Sequence, residues 1–318
     1  MSLDQLDAPL RMTWDLCRDG EPVLAGDEAL RVAERLVEAG LFYLLLDAQP
    51  LLHPQIAALV DKLAATGCRI SLVLGRDPRE FERLSEISAD IDLLVDAAPW
   101  LDDPFDPQSL EAFLIRVKNR IAAPALLWMP RQGRLHLLPE LFALCRRQAL
   151  PRFKLPNYKI GANSGSVEAA GILQQKDLAE LAALLKEHPA DLGATALEVH
   201  DLFLWELLFP AGGGERSEYG GCQAGNSLGH IAANGELWPC SSWPLPLGSL
   251  LREDLHSLWD TPARHAVRAE VAADPADCNG CRDLPICYGG CRGLARTLRR
   301  DGDRRDLLCA GPRRNNAE

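Results

Sequence analysis

Cys278-Asn279-Gly280-Cys281-Arg282-Asp283-Leu284-Pro285-Ile286-Cys287-Tyr288-Gly289-Gly290-Cys291 sets four thiols in one short stretch, spaced C-x2-C-x5-C-x3-C. Spacings this close let neighbouring thiolates meet one inorganic core. Upstream stand Cys222, twelve residues, Gly235, four residues and Cys240; downstream, seventeen residues separate Cys291 from Cys309. Gly235 permits a tight turn before Cys240, and the long gaps have to be closed in space by the fold. Paired C-x2-C spacing also suits tetrahedral zinc, so spacing alone leaves zinc and iron–sulfur chemistry both open. The other three cysteines, Cys17, Cys68 and Cys145, are isolated in the first two thirds of the chain. This asymmetry suggests two domains.

The 318 residues, 47% of them hydrophobic, suffice for one large core and a smaller unit. A formal charge of -11 argues against nucleic acid and anionic membrane surfaces, which are bound through excess Lys and Arg. No run approaches a membrane span; the best, Leu202 to Pro210, is short and contains Glu206. The N-terminal residues have neither a basic nor an apolar region of secretory type, so a cytoplasmic location is expected. In a reducing compartment clustered cysteines point to metal or cluster ligation rather than to disulfides.

Working back from the cysteines, residues 1–210 alternate short apolar runs with stretches of helical period, the pattern of βα units around a parallel sheet. Strands are expected at Met12–Leu16, Phe42–Leu46, Ile70–Leu74, Ile91–Val95, Ala125–Met129 and Phe153–Leu155, with Leu197–Leu204 extended or mixed. The first helix is expected to be capped by Asp27, to bury Leu30, Ala33 and Val37, and to end at Gly40. Others are expected over Pro54–Gly67, Arg79–Ser88, Pro107–Ile121, Leu137–Leu150 and Lys176–His188. The fold class is therefore α/β: a partial (β/α)6 TIM-like barrel, with its active face at the C-terminal strand ends. The glycine-rich run Pro210–Gly214 marks a boundary, after which residues 211–318 form a small, loop-rich unit needing a metal staple.

The order Cys222, Gly235, Cys240, Cys278, Cys281, Cys287, Cys291, Cys309 resembles the SPASM domain, the cluster-binding extension of radical S-adenosylmethionine (SAM) peptide-modifying enzymes. The resemblance implies two [4Fe-4S] clusters, one on Cys278, Cys281, Cys287 and Cys309, the other on Cys222, Cys240 and Cys291. A cysteine with which the family often completes the second set is missing. Glu215, Glu218 and His230 are near enough in sequence to compete for that position. Trp238 and Trp243, flanking Cys240, are expected to shield the cluster.

Residues 11–205 resemble the radical SAM core, but with two departures. After its first strand that family places C-x3-C-x2-C, whereas this chain has only Cys17. Its Gly-Gly-Glu-Pro after the second strand corresponds to Asp47-Ala48-Gln49-Pro50, where Gln49 lacks the charge to pair with the cofactor's ammonium. The resemblance thus implies a degenerate core that binds no S-adenosylmethionine. His53 and His200 are expected to be structural or surface residues, Cys17 a packed thiol, and the eight arginines between Arg292 and Arg314 a solvated helix face.

The build resembles the stand-alone SPASM proteins of GeoRSP-type systems. That resemblance implies a non-catalytic accessory role, in electron transfer or substrate presentation, beside a separate radical SAM/SPASM enzyme. A PqqD-like peptide-binding protein or precursor peptide would be supplied in trans, since nothing before Trp14 has room for such a domain. Two other readings stand: an enzyme using an open-site auxiliary [4Fe-4S] cluster directly, and a structural scaffold holding zinc or clusters.

Overall fold

The structure is a computed structural model that describes residues 6–101, 106–160, 171–209, 220–299 and 302–313. Seven parallel strands follow one another around the barrel: β1 (Arg11–Asp15), then, after the small hairpin of β2 (Cys17–Arg18) and β3 (Glu21–Pro22), β4 (Tyr43–Asp47), β5 (Arg69–Leu74), β6 (Asp92–Asp96), β7 (Ala125–Leu127), β8 (Arg152–Leu155) and β9 (Ala196–Val199). The sheet does not end at β1. Three C-terminal strands, β10 (Leu228–Ile231), β11 (Glu236–Trp238) and β12 (Gly248–Ser249), extend it in the order β12-β11-β10-β1-β4-β5-β6-β7-β8-β9.

The inner strands are read as sequence predicts. Arg69–Leu74 is buried from Ile70 onward, as expected where helices cover one face and the barrel interior the other. The segment Leu197–Leu204, expected to be extended or mixed, divides into β9 and a helix over Leu202–Leu208, because Asp201 accepts hydrogen bonds from the amides of Phe203 (2.8 Å) and Leu204 (3.0 Å) and starts a helix there. The barrel accordingly has a seventh strand. The first helix covers Gly26–Glu38 and buries Ala29, Val32, Ala33 and Leu36. Its cap is Ala25 rather than Asp27, with the Glu28 carboxylate accepting the Ala25 N–H at 3.0 Å; Gly40, at φ +66°, ends it as expected.

Parallel pairing of β10 with β1 aligns Arg11 with Leu228 and Trp14 with Ile231, so strands from both sides of residues 210–219 share one sheet. Met12, Leu237, Trp259, Leu294 and Leu307 accordingly lie in one continuous core. The helix Leu255–Trp259 presses Trp259, 1% exposed, against this seam; a Cβ on Gly229 would stand 3.4 Å from the indole ring and 3.3 Å from Met12. No helix of the described residues is long and apolar enough to cross a membrane.

Trp259→Ala is expected to lower stability by about 3–5 kcal/mol through the cavity left at the β1–β10 seam, read as a drop in the urea midpoint.

Candidate metal centre

The C-terminal thiols are positioned by loops whose backbone leaves little freedom. Cys278 closes a short turn over Ala276–Cys278, and the Cys281 amide donates to the Cys278 carbonyl at 2.9 Å. Cys287 ends the helical turn Leu284–Cys287; Tyr288, Gly289 and Gly290 then take φ of 50°, 80° and 69° before Cys291 opens the helix Arg292–Leu298. Glycine is required at Gly290, since a Cβ there would lie 2.5 Å from the Asp306 side chain.

Asp306 joins the two halves of the constellation. Its carboxylate, on a residue 3% exposed, accepts from the amide of Cys291 (2.6 Å) and of Leu308 (2.7 Å), while its carbonyl accepts from the Cys309 amide at 3.2 Å. Sequence reading assigned Asp306 no such role; an aspartate three residues before a cysteine carries no signal by itself.

Around this frame the seven thiols fall into two groups. Cys278, Cys281, Cys287 and Cys309 line one cavity of about 160 Å³, which Phe203 and Leu207 from the helix Leu202–Leu208 also line. Burial, then the neighbouring thiols of Cys309, Cys287 and Cys281, push the Cys278 thiol up to about 11. The Gly311 amide donates to the Cys309 sulfur and the Arg313 amide to the Cys281 sulfur, each at 3.4 Å. In the second group, burial and then Cys222 push Cys240 up to about 12, and Cys291 is raised by burial, Cys222, Asp306 and Cys240. Trp243 packs with Ala224 and Val267 against Cys222 and Cys240.

These donor sets fit the chemistry of a bound cluster. A bound metal would stabilise the thiolates and release their protons to solvent, and N–H groups aimed at sulfur stabilise the same charge. Among the described residues no three His, Cys, Asp or Glu side chains are set to grip a single ion; the four thiols stand around a cavity instead.

At the barrel mouth the arrangement is different. Asp15 and Asp47 are register partners at the ends of β1 and β4, and the Lys159 ammonium bonds both, at 2.6 and 2.9 Å. Burial alone would raise Asp47, yet Lys159 holds it below the usual carboxylate range; the same carboxylates raise Lys159 against the effect of its burial. His230, 2% exposed, lies 3.7 Å from the Asp15 carboxylate with its ring 5.1 Å from that of Trp238, and burial lowers it to about 4. Trp238 therefore packs on His230 beside Asp15, and Trp243 packs against the thiols of Cys222 and Cys240. Glu215 and Glu218 lie outside the described residues.

Cys17 is buried and donates to the Gln49 carbonyl at 3.5 Å, while burial, Glu80 and Glu21 push its thiol up to about 11. Cys68, just before β5, and Cys145, in the helix Leu138–Arg147, are buried elsewhere. Ala48 and Gln49 both adopt left-handed backbone, φ 57° and 55°, so the loop at Asp47-Ala48-Gln49-Pro50 holds a shape suited to glycine without having one. His53 is fully buried, its Nδ1 accepting the Gln55 amide at 3.2 Å, and His200 is exposed beyond β9.

The arginine run departs from a solvated face. Arg292 is buried and donates to the carbonyls of Ala273 (3.0 Å) and Glu270 (2.9 Å) at the end of the helix Pro262–Ala272. Arg299 and Arg305 pair with Asp303, and Arg296 and Arg304 with Glu270. Arg313 pairs with Asp283, so among the described residues the acids facing the run come from its own loop, from the packed helix and from the cysteine loop.

Comparison with known proteins bears on the cysteine-rich part and on the fold. Residues 222–282 match SPASM, an iron-sulfur cluster-binding domain. No curated protein matches the chain. The mixed α/β fold is structurally similar to radical SAM enzymes with a SPASM domain. SuiB of Streptococcus suis bound to its precursor peptide SuiA shares 18% identity over 96% of this chain and 76% of that one, with a TM-score of 0.69. SuiB bound to S-adenosylmethionine shares 16% over 96% and 78%, at 0.67. Native anSMEcpe with bound AdoMet and the Cp18Cys peptide shares 14% over 95% and 94%, at 0.64.

One carboxylate near the mouth makes a measurable pH prediction. Glu80 is 0% exposed and no side chain among the described residues hydrogen-bonds it; burial raises it to about 7, the Gly75 N–H opposes, and the charges of Asp77, Asp47 and Asp96 add to the rise. Its folded-state value lies above the ordinary 4.5, so its contribution is intact below that value and is lost as pH rises through about 7. Glu80→Gln should match the wild type at about pH 4 and be more stable at about pH 8.5, by up to about 3 kcal/mol in urea denaturation. Equal midpoint differences at both pH values would refute this.

Proposed function

We propose that this chain is an iron–sulfur accessory protein that holds two [4Fe-4S] clusters and serves a separate radical SAM enzyme in peptide modification, by electron transfer or substrate presentation. The observation that carries the proposal is the contrast between its two sulfur environments. Seven thiols gather in the C-terminal part, whereas among the described residues the barrel mouth has only the Cys17 thiol, bonded to the Gln49 carbonyl, beside an Asp15–Lys159–Asp47 ion cluster.

In this reading Cys278, Cys281, Cys287 and Cys309 hold one cluster, and Cys222, Cys240 and Cys291 hold the other. Bound clusters supply one-electron redox chemistry. The chain's own part is to orient the thiols through Asp306 and the Tyr288–Gly290 turn, to offer N–H donors from Gly311 and Arg313, and to limit water with Phe203, Leu207 and Trp243. A cavity of about 160 Å³ that all four of these cysteines line leaves room for a core of several atoms.

Lys159 places an ammonium between the two carboxylates where a cofactor's own ammonium would compete for them. This supports a core that does not cleave S-adenosylmethionine, although similar structures contain it. Peptide is the favoured substrate class because SuiB and anSMEcpe were each solved with one. A PqqD-like protein acting in trans is the proposed carrier of that peptide.

After anaerobic reconstitution the protein should contain about eight irons and about eight sulfides per chain, and Cys278→Ala should lose about half of each and melt earlier. Reduced protein given S-adenosylmethionine should release no 5'-deoxyadenosine above background. Zinc without labile sulfide, or 5'-deoxyadenosine formed at enzymatic rates, would overturn the proposal.

A further inference from the structure

The sulfur of Cys291 receives a hydrogen bond from the barrel. Asn157, just past the end of β8, places its side-chain nitrogen 3.0 Å from the Cys291 Sγ, across 134 positions of sequence. The orientation of the amide is set by its other end: Asn157 Oδ1 accepts the Tyr158 amide at 2.9 Å, so the NH2 group is the end that faces sulfur.

The strap that carries Asn157 is held from several directions. Tyr158 donates its hydroxyl to the Pro130 carbonyl at 2.5 Å and accepts the Leu173 amide at 3.0 Å. Its own carbonyl accepts the Ser242 hydroxyl at 2.5 Å, and the Ile160 amide donates to the Ser241 carbonyl at 2.8 Å. Lys159, between them, is anchored on Asp15 and Asp47. The amide is therefore aimed at the sulfur by a framework that exists without any contribution from the cysteine itself. In the other group the donors to Cys281 and Cys309 are backbone amides of Arg313 and Gly311, beside Cys309 in the chain.

We infer that Asn157 is a positioning residue that sets the reduction potential of the centre held by Cys222, Cys240 and Cys291, and of that centre alone. The inference rests on the proposal that a cluster binds there. Adding one electron to a cluster increases the negative charge on its thiolates, and an N–H donor stabilises that charge, so the Asn157 bond favours the reduced state and raises the potential. Because the donor belongs to the barrel and the acceptor to the cysteine-rich part, the relative placement of the two is written into the redox property of one centre.

The test is an electron paramagnetic resonance redox titration of the reconstituted full chain, wild type against Asn157→Asp and Asn157→Leu, with dithionite as reductant. The signal absent from a Cys240→Ser variant identifies the three-thiol centre. Asn157→Asp keeps the acceptor for the Tyr158 amide, removes the donor and adds a negative charge; Asn157→Leu removes donor and acceptor without adding charge. Both should lower the reduced-to-oxidised ratio of the three-thiol centre about tenfold at fixed potential, a fall of about 59 mV for a one-electron couple, the aspartate more than the leucine. Iron content and the other centre's midpoint should hold. An unmoved midpoint, an equal shift of both centres, a shift with aspartate alone, or loss of iron from this centre would each overturn the inference. Wild-type protein that binds no second cluster would instead defeat the proposal on which it rests, and the iron and sulfide analysis separates the two failures.

Discussion

The parallel pairing of Leu228–Ile231 with Arg11–Trp14 is the contact on which the rest of the molecule depends. An open barrel has a free edge at its first strand, and a free edge has unpaired backbone groups that must find partners. Here the cysteine-rich part provides them. The pairing places His230 beside Asp15, with the Trp238 ring against it. It also seats the Cys240 loop against the strap from Asn157 to Ile160. Without it, the thiols would belong to a loop-rich segment with little apolar surface of its own to bury.

That dependence runs in both directions. A small unit dominated by turns gains stability from ligation, and the raised thiols of Cys240 and Cys278 are groups whose charge becomes favourable only with a metal present. Meanwhile the helix Leu202–Leu208 from the barrel side lines the cavity of the four-thiol set, and Trp259 from the other side packs on the seam. Ligation and burial therefore support each other, since the main hydrophobic core runs through both halves of the chain.

The barrel mouth combines an unusual backbone turn with an internal ion cluster. The turn after β4 retains left-handed backbone at Ala48 and Gln49, although neither is glycine. Such backbone is costly for residues with a side chain, and the surrounding packing must hold it. The carboxylates at the tips of β1 and β4 are answered by Lys159 from the same chain. An internal ion cluster of this kind satisfies the charges that a bound ligand would otherwise meet.

Much of this was legible in the sequence. Alternating apolar runs and helical periods announced the parallel barrel, and seven cysteines at fixed spacing announced the metal-binding part, because both signals are local: a strand or a C-x2-C pair is decided by neighbours a few positions away. The division of Leu197–Leu204, which reads as extended or mixed, into a seventh strand and a helix was not, since one side chain, Asp201, starts a helix partway along it. Asp306, Asn157 and Lys159 were not legible either. Each acts on a partner 15 to 144 positions away, and a lone Asp, Asn or Lys in a polar loop has no pattern of its own. Sequence by itself determined which elements form and where the thiols lie along the chain. Only the tertiary structure decided which thiols meet, which barrel residues touch them and what fills the mouth, because those contacts are made across the sheet by side chains whose meeting depends on the pairing of β1 with β10.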